Sequence, residues 1–214
     1  MTDGSYEVEL KVRANHDRLR GVLTDHDAEP LGGVVQTDTY YDAPDRNFAE
    51  TDEALRIRRE TDTDESGTTE TDETVVPDRV GAPDAEPPPV GADGDADRTK
   101  VTYKGPLVDA NSKTRAEHET VVGDGTELAG VLDGLGYEPA ATVEKHRERY
   151  ALDGYTVTLD AVTGLGQFVE VEAETDEAGI ERVRDGAREL LTELGLEPTD
   201  QIRTSYLGLL LDAN

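Results

Sequence analysis

The chain has 214 residues, with 49 acids against 21 lysines and arginines, a net charge of −28 and no cysteine. That length suits one domain or a domain with an insertion, and the lack of thiols excludes disulfides and thiolate metal sites. The charge sets the chain against duplex nucleic acid, whose phosphates it repels, and no apolar run reaches the roughly 18 residues of a membrane span.

Along the chain, alternation with period two predicts strands at 6–12, 34–42, 53–60, 99–105, 115–122, 142–151, 155–162 and 167–174. Apolar spacings of three and four predict helices between them. NHDRLRGVL opens on Asn15 as a cap. TELAGVLDGLGY opens on Thr126, puts Leu128, Val131, Leu132 and Leu135 on one face and stops at Gly136. DEAGIERVRDGARELLTELGL opens on Asp176, aligns Ile180, Val183, Ala187, Leu190, Leu191 and Leu194, and stops at Gly195. IRTSYLGLLL predicts a short last helix. Residues 61–98 differ from the rest: they hold twelve acids and five prolines without apolar periodicity. They read as a solvated, disordered loop inserted between two strands.

A repeat runs through these elements. Glu-x-Glu occurs at Glu7/Glu9, Glu117/Glu119 and Glu170/Glu172, and each pair is followed by a helix and a Glu-Pro. The prolines, Pro30, Pro139 and Pro198, lie 21, 20 and 26 residues after the second Glu. Strand, helix and turn recur as a unit, which predicts a pseudo-symmetric sheet.

The strand faces carry the functional signal. EVELK sets Glu7, Glu9 and Lys11 against Val8 and Leu10; LRIRR sets Arg56 and Arg58 against Leu55 and Ile57. Thr102 and Lys104 share a face, as do Arg115, Glu117 and Glu119, and Lys145, Arg147 and Arg149. Asp160 opposes Leu159, while Glu170 and Glu172 oppose Val169 and Val171. An antiparallel sheet with one wet face produces such alternation. Two facts turn the polar faces inward instead. Basic residues are rare in this chain yet concentrate on these strands, and the helices need an apolar sheet surface to pack on. About eight strands then close into a barrel with a polar interior. Dry and empty, that interior is costly. Arginine and lysine would hold phosphate oxygens there, and paired glutamates suit a hard divalent cation, Mg²⁺ or Mn²⁺.

At this point the residues resemble the CYTH superfamily, named for CyaB adenylyl cyclase and thiamine triphosphatase. EVELK matches its Glu-x-Glu-x-Lys signature. The later segments YYDAPDRNFAETDEALRIRR, TYKGP, KTRAEHE, VEKHRERY, LDAVTGLGQFVEVE and IRTSYLGLL follow in the matching order, over nearly the whole chain except 61–98. They are most similar to the class IV adenylyl cyclase branch, particularly its archaeal members. The resemblance implies one α+β domain over residues 1–214: a closed eight-stranded antiparallel barrel, the triphosphate tunnel, with helices packed outside. It implies Glu7, Glu9, Asp160, Glu170 and Glu172 as metal ligands, with Glu7, Glu9 and Lys11 central to catalysis. Lys11, Arg56, Arg58, Lys104, Arg115, Lys145, Arg147 and Arg203 would bind the triphosphate. The implied reaction is cyclisation of ATP to cyclic AMP and pyrophosphate. The alternatives are hydrolysis of thiamine triphosphate, tripolyphosphate or a nucleotide, and non-catalytic sensing of polyphosphate. The opening MTDGSYEVEL lacks the basic start and apolar stretch of a signal peptide, so a cytoplasmic location is expected. A halophilic setting is expected from the acidic surface, and a homodimer from base rates.

Overall fold

The computed structural model describes residues 6–63, 98–108 and 113–212. Eight strands follow in chain order: β1 (Tyr6–Arg13), β2 (Glu29–Asp42), β3 (Ala54–Thr63), β4 (Arg98–Lys104), β5 (Lys113–Val122), β6 (Glu138–Leu152), β7 (Tyr155–Val162) and β8 (Gly166–Thr175). Five helices join them: α1 (His16–Asp25), α2 (Phe48–Thr51), α3 (Gly125–Gly134), α4 (Ile180–Glu193) and α5 (Tyr206–Asp212). The strands close into an antiparallel barrel in the order β1-β5-β4-β3-β2-β6-β7-β8. The expected barrel with helices outside is the observed one. Of the segment expected as an insertion, 61–63 end β3 and Arg98 opens β4; residues 64–97 lie outside the described residues.

Alternation decides which side chains go where. Of the odd members of β1, Glu7 and Glu9 line the lumen and Lys11 is buried beside Glu9 and Glu170 without lining the cavity, while Val8, Leu10 and Val12 are buried on the outside of the barrel. There they meet Leu19 and Leu23 of α1, Val183, Ala187, Leu190 and Leu191 of α4, and Val157, Leu159, Val169 and Val171 of the neighbouring strands. This is the main core, and it lies outside the barrel wall. A second cluster, Tyr40, Val143, Val162, Phe168 and Tyr206, joins α5 to the strands that line one end of the barrel. Residues of the α5 face and the start of β6, including Ala140, Ala141, Leu207 and Leu211, line the opening beside it.

Most helix boundaries follow their sequence signals. The Asn15 side chain caps α1 by accepting from the Arg18 amide. Asp176 caps the short 3₁₀ turn that leads into α4. The positive φ of Gly136 and Gly195, 86° and 73°, sits just past α3 and α4, where an L side chain is disfavoured. Three expectations need correction. Asp124, not Thr126, caps α3, because its carboxylate accepts from the amides of both Thr126 and Glu127. The expected apolar face of α3 is only partly covered: Leu132 is buried, but Val131 and Leu135 are exposed. The last helix starts at Tyr206 and not at Ile202, because the Ile202 amide bonds the Lys11 carbonyl and ties that segment to β1 in extended form.

The repeat has a structural meaning in two of its three copies. β1-α1-β2 and β5-α3-β6 are equivalent strand-helix-strand units, with β2 and β6 both opening on Glu-Pro. β1 pairs with β5 and β2 with β6, as a pseudo-twofold barrel requires. After α4 the third Glu-Pro opens a 3₁₀ turn, Pro198–Asp200, and no strand.

Candidate active site

The lumen forms a continuous cavity of about 850 Å³. On one wall β1 and β8 place Glu9 directly opposite Glu172, with Glu7 one pleat along. Glu7, Glu9 and Glu172 each offer an oxygen within 4.8 Å of the others. Burial and then the charge of Glu7 push Glu172 up to about 8. Burial also raises Glu7, against the pull of Lys104 and with a further push from Glu117. Three crowded carboxylates resist simultaneous ionisation without a counter-charge. A divalent cation would supply it, and an all-oxygen donor set suits a hard cation.

Asp160 and Glu170 stand apart from this trio. Arg147 of β6 donates to Asp160 at 2.7 and 2.5 Å and to Glu170 at 2.6 Å. Asp160 is fully buried; burial would raise its pKa, but Arg147 and Lys145 outweigh this and lower it. Lys11 lies 3.7 Å from Glu9 and 3.8 Å from Glu170. Across the lumen Arg58 grips Asp38 bidentately at 2.6 and 2.7 Å, and Arg56 reaches the same carboxylate at 3.3 Å. Lys145, 3 % exposed, has Asp160 at 3.5 Å. Burial and then Arg147 depress it to about 7, against the opposing pull of Asp160.

The pseudo-twofold explains why only one Glu-x-Glu pair joins an acidic cluster. β5 carries Glu117 and Glu119 where β1 carries Glu7 and Glu9. The strand beside β1 offers Glu170, Glu172 and Glu174, whereas the strand beside β5 offers Lys100, Thr102 and Lys104 at the equivalent register. Lys104 accordingly pairs with Glu117, Lys100 with Glu119 at 3.1 Å, and Thr102 donates to Glu119. Those carboxylates are hydrogen-bonded by protein groups, whereas the trio's ion pairs are looser, with Lys104 3.5 Å from Glu7 and Lys11 3.7 Å from Glu9. The buried ion pairs invert in the same way: Asp38 opposite Arg58 between β2 and β3 answers Arg147 opposite Asp160 between β6 and β7.

Of the residues expected at the site, Glu7, Glu9, Arg56, Arg58, Lys104, Arg115, Lys145, Arg147, Glu170, Glu172 and Arg203 line the cavity. Arg115 has a structural task as well: it donates to the Asp52 carbonyl at 2.6 Å, fixing a turn in which Asp52 adopts a φ of 54°. Arg203 is exposed at the mouth. Sequence reasoning left Gln36, Asp38, Glu60, Lys100, Arg149 and Tyr206 off the site. Gln36, Asp38 and Tyr40 alternate along 34–42 like the other polar faces, so the signal for Asp38 was present. Nothing in the sequence places Tyr206, because its position depends on how α5 docks.

The fold and the site define a closed antiparallel barrel whose lumen carries a carboxylate trio together with arginines and lysines. The CYTH domain model matches residues 5–206, and the chain belongs to that family. It is 32% identical over 205 residues to a protein of Methanocaldococcus jannaschii provisionally named an adenylate cyclase, covering 95% of this chain and 97% of that one. It is 26% identical over 209 residues to adenylate cyclase CyaB of Aeromonas hydrophila, covering 96% and 89%. The solved structure of a Pyrococcus horikoshii protein superposes with a TM-score of 0.77 at 34% identity, covering 97% of this chain and 99% of the other.

Proposed function

We propose that this chain is a metal-dependent enzyme acting on a triphosphate drawn into the barrel, and that its reaction converts ATP to cyclic AMP and pyrophosphate. The observation that carries the reading is the division of the lumen. A crowded carboxylate trio, Glu7, Glu9 and Glu172, occupies one wall, and Arg56, Arg58, Lys104, Lys145 and Arg147 line the same cavity. A pure anion binder has no use for the trio, and a pure cation binder has no use for the bases.

A divalent cation held by Glu7, Glu9 and Glu172 would neutralise phosphate charge and acidify the attacking hydroxyl. The chain's own groups bind and orient. Arg58 and Arg147 are fixed on Asp38 and Asp160 through Nε and Nη2, which leaves their Nη1 groups for phosphate oxygens, so little ordering remains to be done on binding. In the cyclase reaction the ribose 3′-oxygen bonds to the α-phosphorus, the bond to the β-phosphate oxygen breaks, pyrophosphate leaves, and the hydroxyl proton passes to solvent. Tyr41, Phe48, Ala140, Ala141, Leu207 and Leu211 give the mouth an apolar lining beside the charged lumen. That lining suits an organic group attached to the phosphate chain, and it supports a nucleotide over bare tripolyphosphate. The names of the archaeal and bacterial relatives point the same way.

The test is product identification in molar KCl with Mg²⁺ or Mn²⁺, offering ATP, thiamine triphosphate and tripolyphosphate. Cyclic AMP with pyrophosphate is the expected result. Orthophosphate as the product would replace cyclisation with hydrolysis while keeping the tunnel reading. Failure of every triphosphate to bind would overturn both.

A further inference from the structure

One buried polar atom of the lumen stands out. Tyr206, the first residue of α5, is 6 % exposed, and its hydroxyl has no hydrogen-bond partner among the described residues. Other tyrosines are satisfied: Tyr103 donates to Glu53, Tyr150 to Glu148 and Tyr155 to the Val183 carbonyl. Leaving a hydroxyl buried and unpaired is unfavourable, so its position suits an acceptor brought by a ligand.

Its surroundings say what kind. The ring packs edge-on against Phe168 at 5.1 Å, which holds its orientation. The Lys11 ammonium lies 4.2 Å from the ring centroid and the Lys145 ammonium 5.2 Å. Lys145, which lines the lumen, and the buried Lys11 are therefore seated on one phenol. Tyr206 itself lines the cavity. Burial, followed by the charges of Glu170 and Asp160, raises the phenol well above its usual range, so the hydroxyl keeps its proton at neutral pH. The nearby carboxylates of Asp160 and Glu170 are turned to Arg147. A donor set beside two ammoniums, with the local acceptors engaged, matches a phosphate oxygen.

We infer that the Tyr206 hydroxyl donates a hydrogen bond to a non-bridging oxygen of the bound triphosphate, making α5 a substrate-binding element rather than only a cover for the barrel end. The inference rests on the triphosphate reading above. It gives the C-terminal segment a direct contact with substrate, alongside the cations of β1 and β6.

Tyr206→Phe keeps the ring, its edge contact and both ammonium contacts, and removes only the hydroxyl. Without ligand, the variant's melting temperature is expected to match or exceed that of the wild type, because an unpaired buried group has gone. Calorimetry of tripolyphosphate binding in molar KCl with Mg²⁺ is expected to show affinity reduced about tenfold or more, as for a hydrogen bond to a charged acceptor. In turnover, KM is expected to rise by a similar factor with kcat within about twofold, the signature of a contact made equally before and during reaction. A Tyr206→Phe affinity within threefold of wild type would overturn the inference while leaving the triphosphate reading intact. So would a lower melting temperature without ligand, since it would reveal a structural hydrogen bond. A wild-type protein that fails to bind tripolyphosphate or ATP would overturn both.

Discussion

Lys145 makes a quantitative link between pH and binding. Burial and Arg147 depress its ammonium from the ordinary lysine value to about 7, against the pull of Asp160. The unfolded chain holds that proton to near 10.4. Between these values the unfolded state binds more protons, so this group makes stability rise with pH across the window. Binding runs the other way, because an entering polyphosphate favours the charged ammonium. About half of the lysine is protonated at pH 7, and about a hundredth at pH 9. Its contribution to apparent affinity should then fall about tenfold per pH unit above 7, or about 1.4 kcal/mol per unit. Calorimetry of tripolyphosphate binding without divalent cation, in two buffers of different ionisation enthalpy, counts the protons taken up. The wild type should take up about one more proton than Lys145→Gln near pH 8, and the variant should lose the extra slope. The variant should also fold, since a neutral side chain is what the free lumen favours there. Equal proton uptake by the two proteins would refute the reasoning, as would parallel affinity profiles from pH 7 to 9.

The carboxylate trio and its pseudo-symmetric twin should separate cleanly. Glu7→Gln or Glu172→Gln should lower turnover on the order of 100-fold or more and weaken Mn²⁺ binding with the fold retained; Glu117→Gln, whose carboxylate Lys104 already neutralises, should leave Mn²⁺ affinity within about threefold. Mn²⁺ titration and circular dichroism check both, and equal losses at Glu7 and Glu117 would remove the distinction. Asp38 is held far below the usual carboxylate range: burial alone would raise it, but Arg56 and Arg58 outweigh burial. Its contribution is therefore present above the unfolded value and lost as pH falls through the folded one. Asp38→Asn leaves two buried arginines without their anion and should cost about 3–5 kcal/mol in denaturant melts; a loss below about 1 kcal/mol would show that water reaches the pair. With a net charge of −28, the protein should melt at rising temperature as KCl increases from 0.1 to about 1 M, where the Debye length falls from roughly 10 to 3 Å. A melting temperature that does not change with salt would end the halophilic expectation.

Much of the barrel could be read from period two alone. β1 shows why: its apolar members form one of the best buried rows of the main core, so a slip of one residue would bury Glu7, Glu9 and Lys11 among leucines. Strand starts were harder. β2 and β6 begin four or five residues before their apolar alternation, at Glu29 and Glu138, because the barrel's ladders continue past the part that packs against helices. Glu-Pro at those positions looked like a turn signal, yet both prolines lie inside the first residues of a strand, where a missing amide is tolerated. Tyr206 and the helix start at α5 were out of reach for a related reason. Both are fixed by the docking of 201–205 on β1, through the Ile202 amide on the Lys11 carbonyl, and a long-range backbone bond leaves no local pattern.

The repeat was legible, but what it does was not. Three Glu-x-Glu pairs look alike on the page, and only the strand beside each one tells them apart. Next to β1 stand Glu170, Glu172 and Glu174; next to β5 stand Lys100, Thr102 and Lys104. The same local sequence therefore becomes part of an acidic cluster on one side of the pseudo-twofold and of a salt-bridge network on the other. A symmetric barrel with two identical halves would present either two metal sites or none, and would have no wall of bases facing a wall of acids. The asymmetry in neighbours is thus what sets an acidic trio on one side of the pseudo-twofold and a salt-bridge network on the other. A polyphosphate that travels with its divalent cation, the substrate proposed above, would meet both the trio and the bases of the lumen at once.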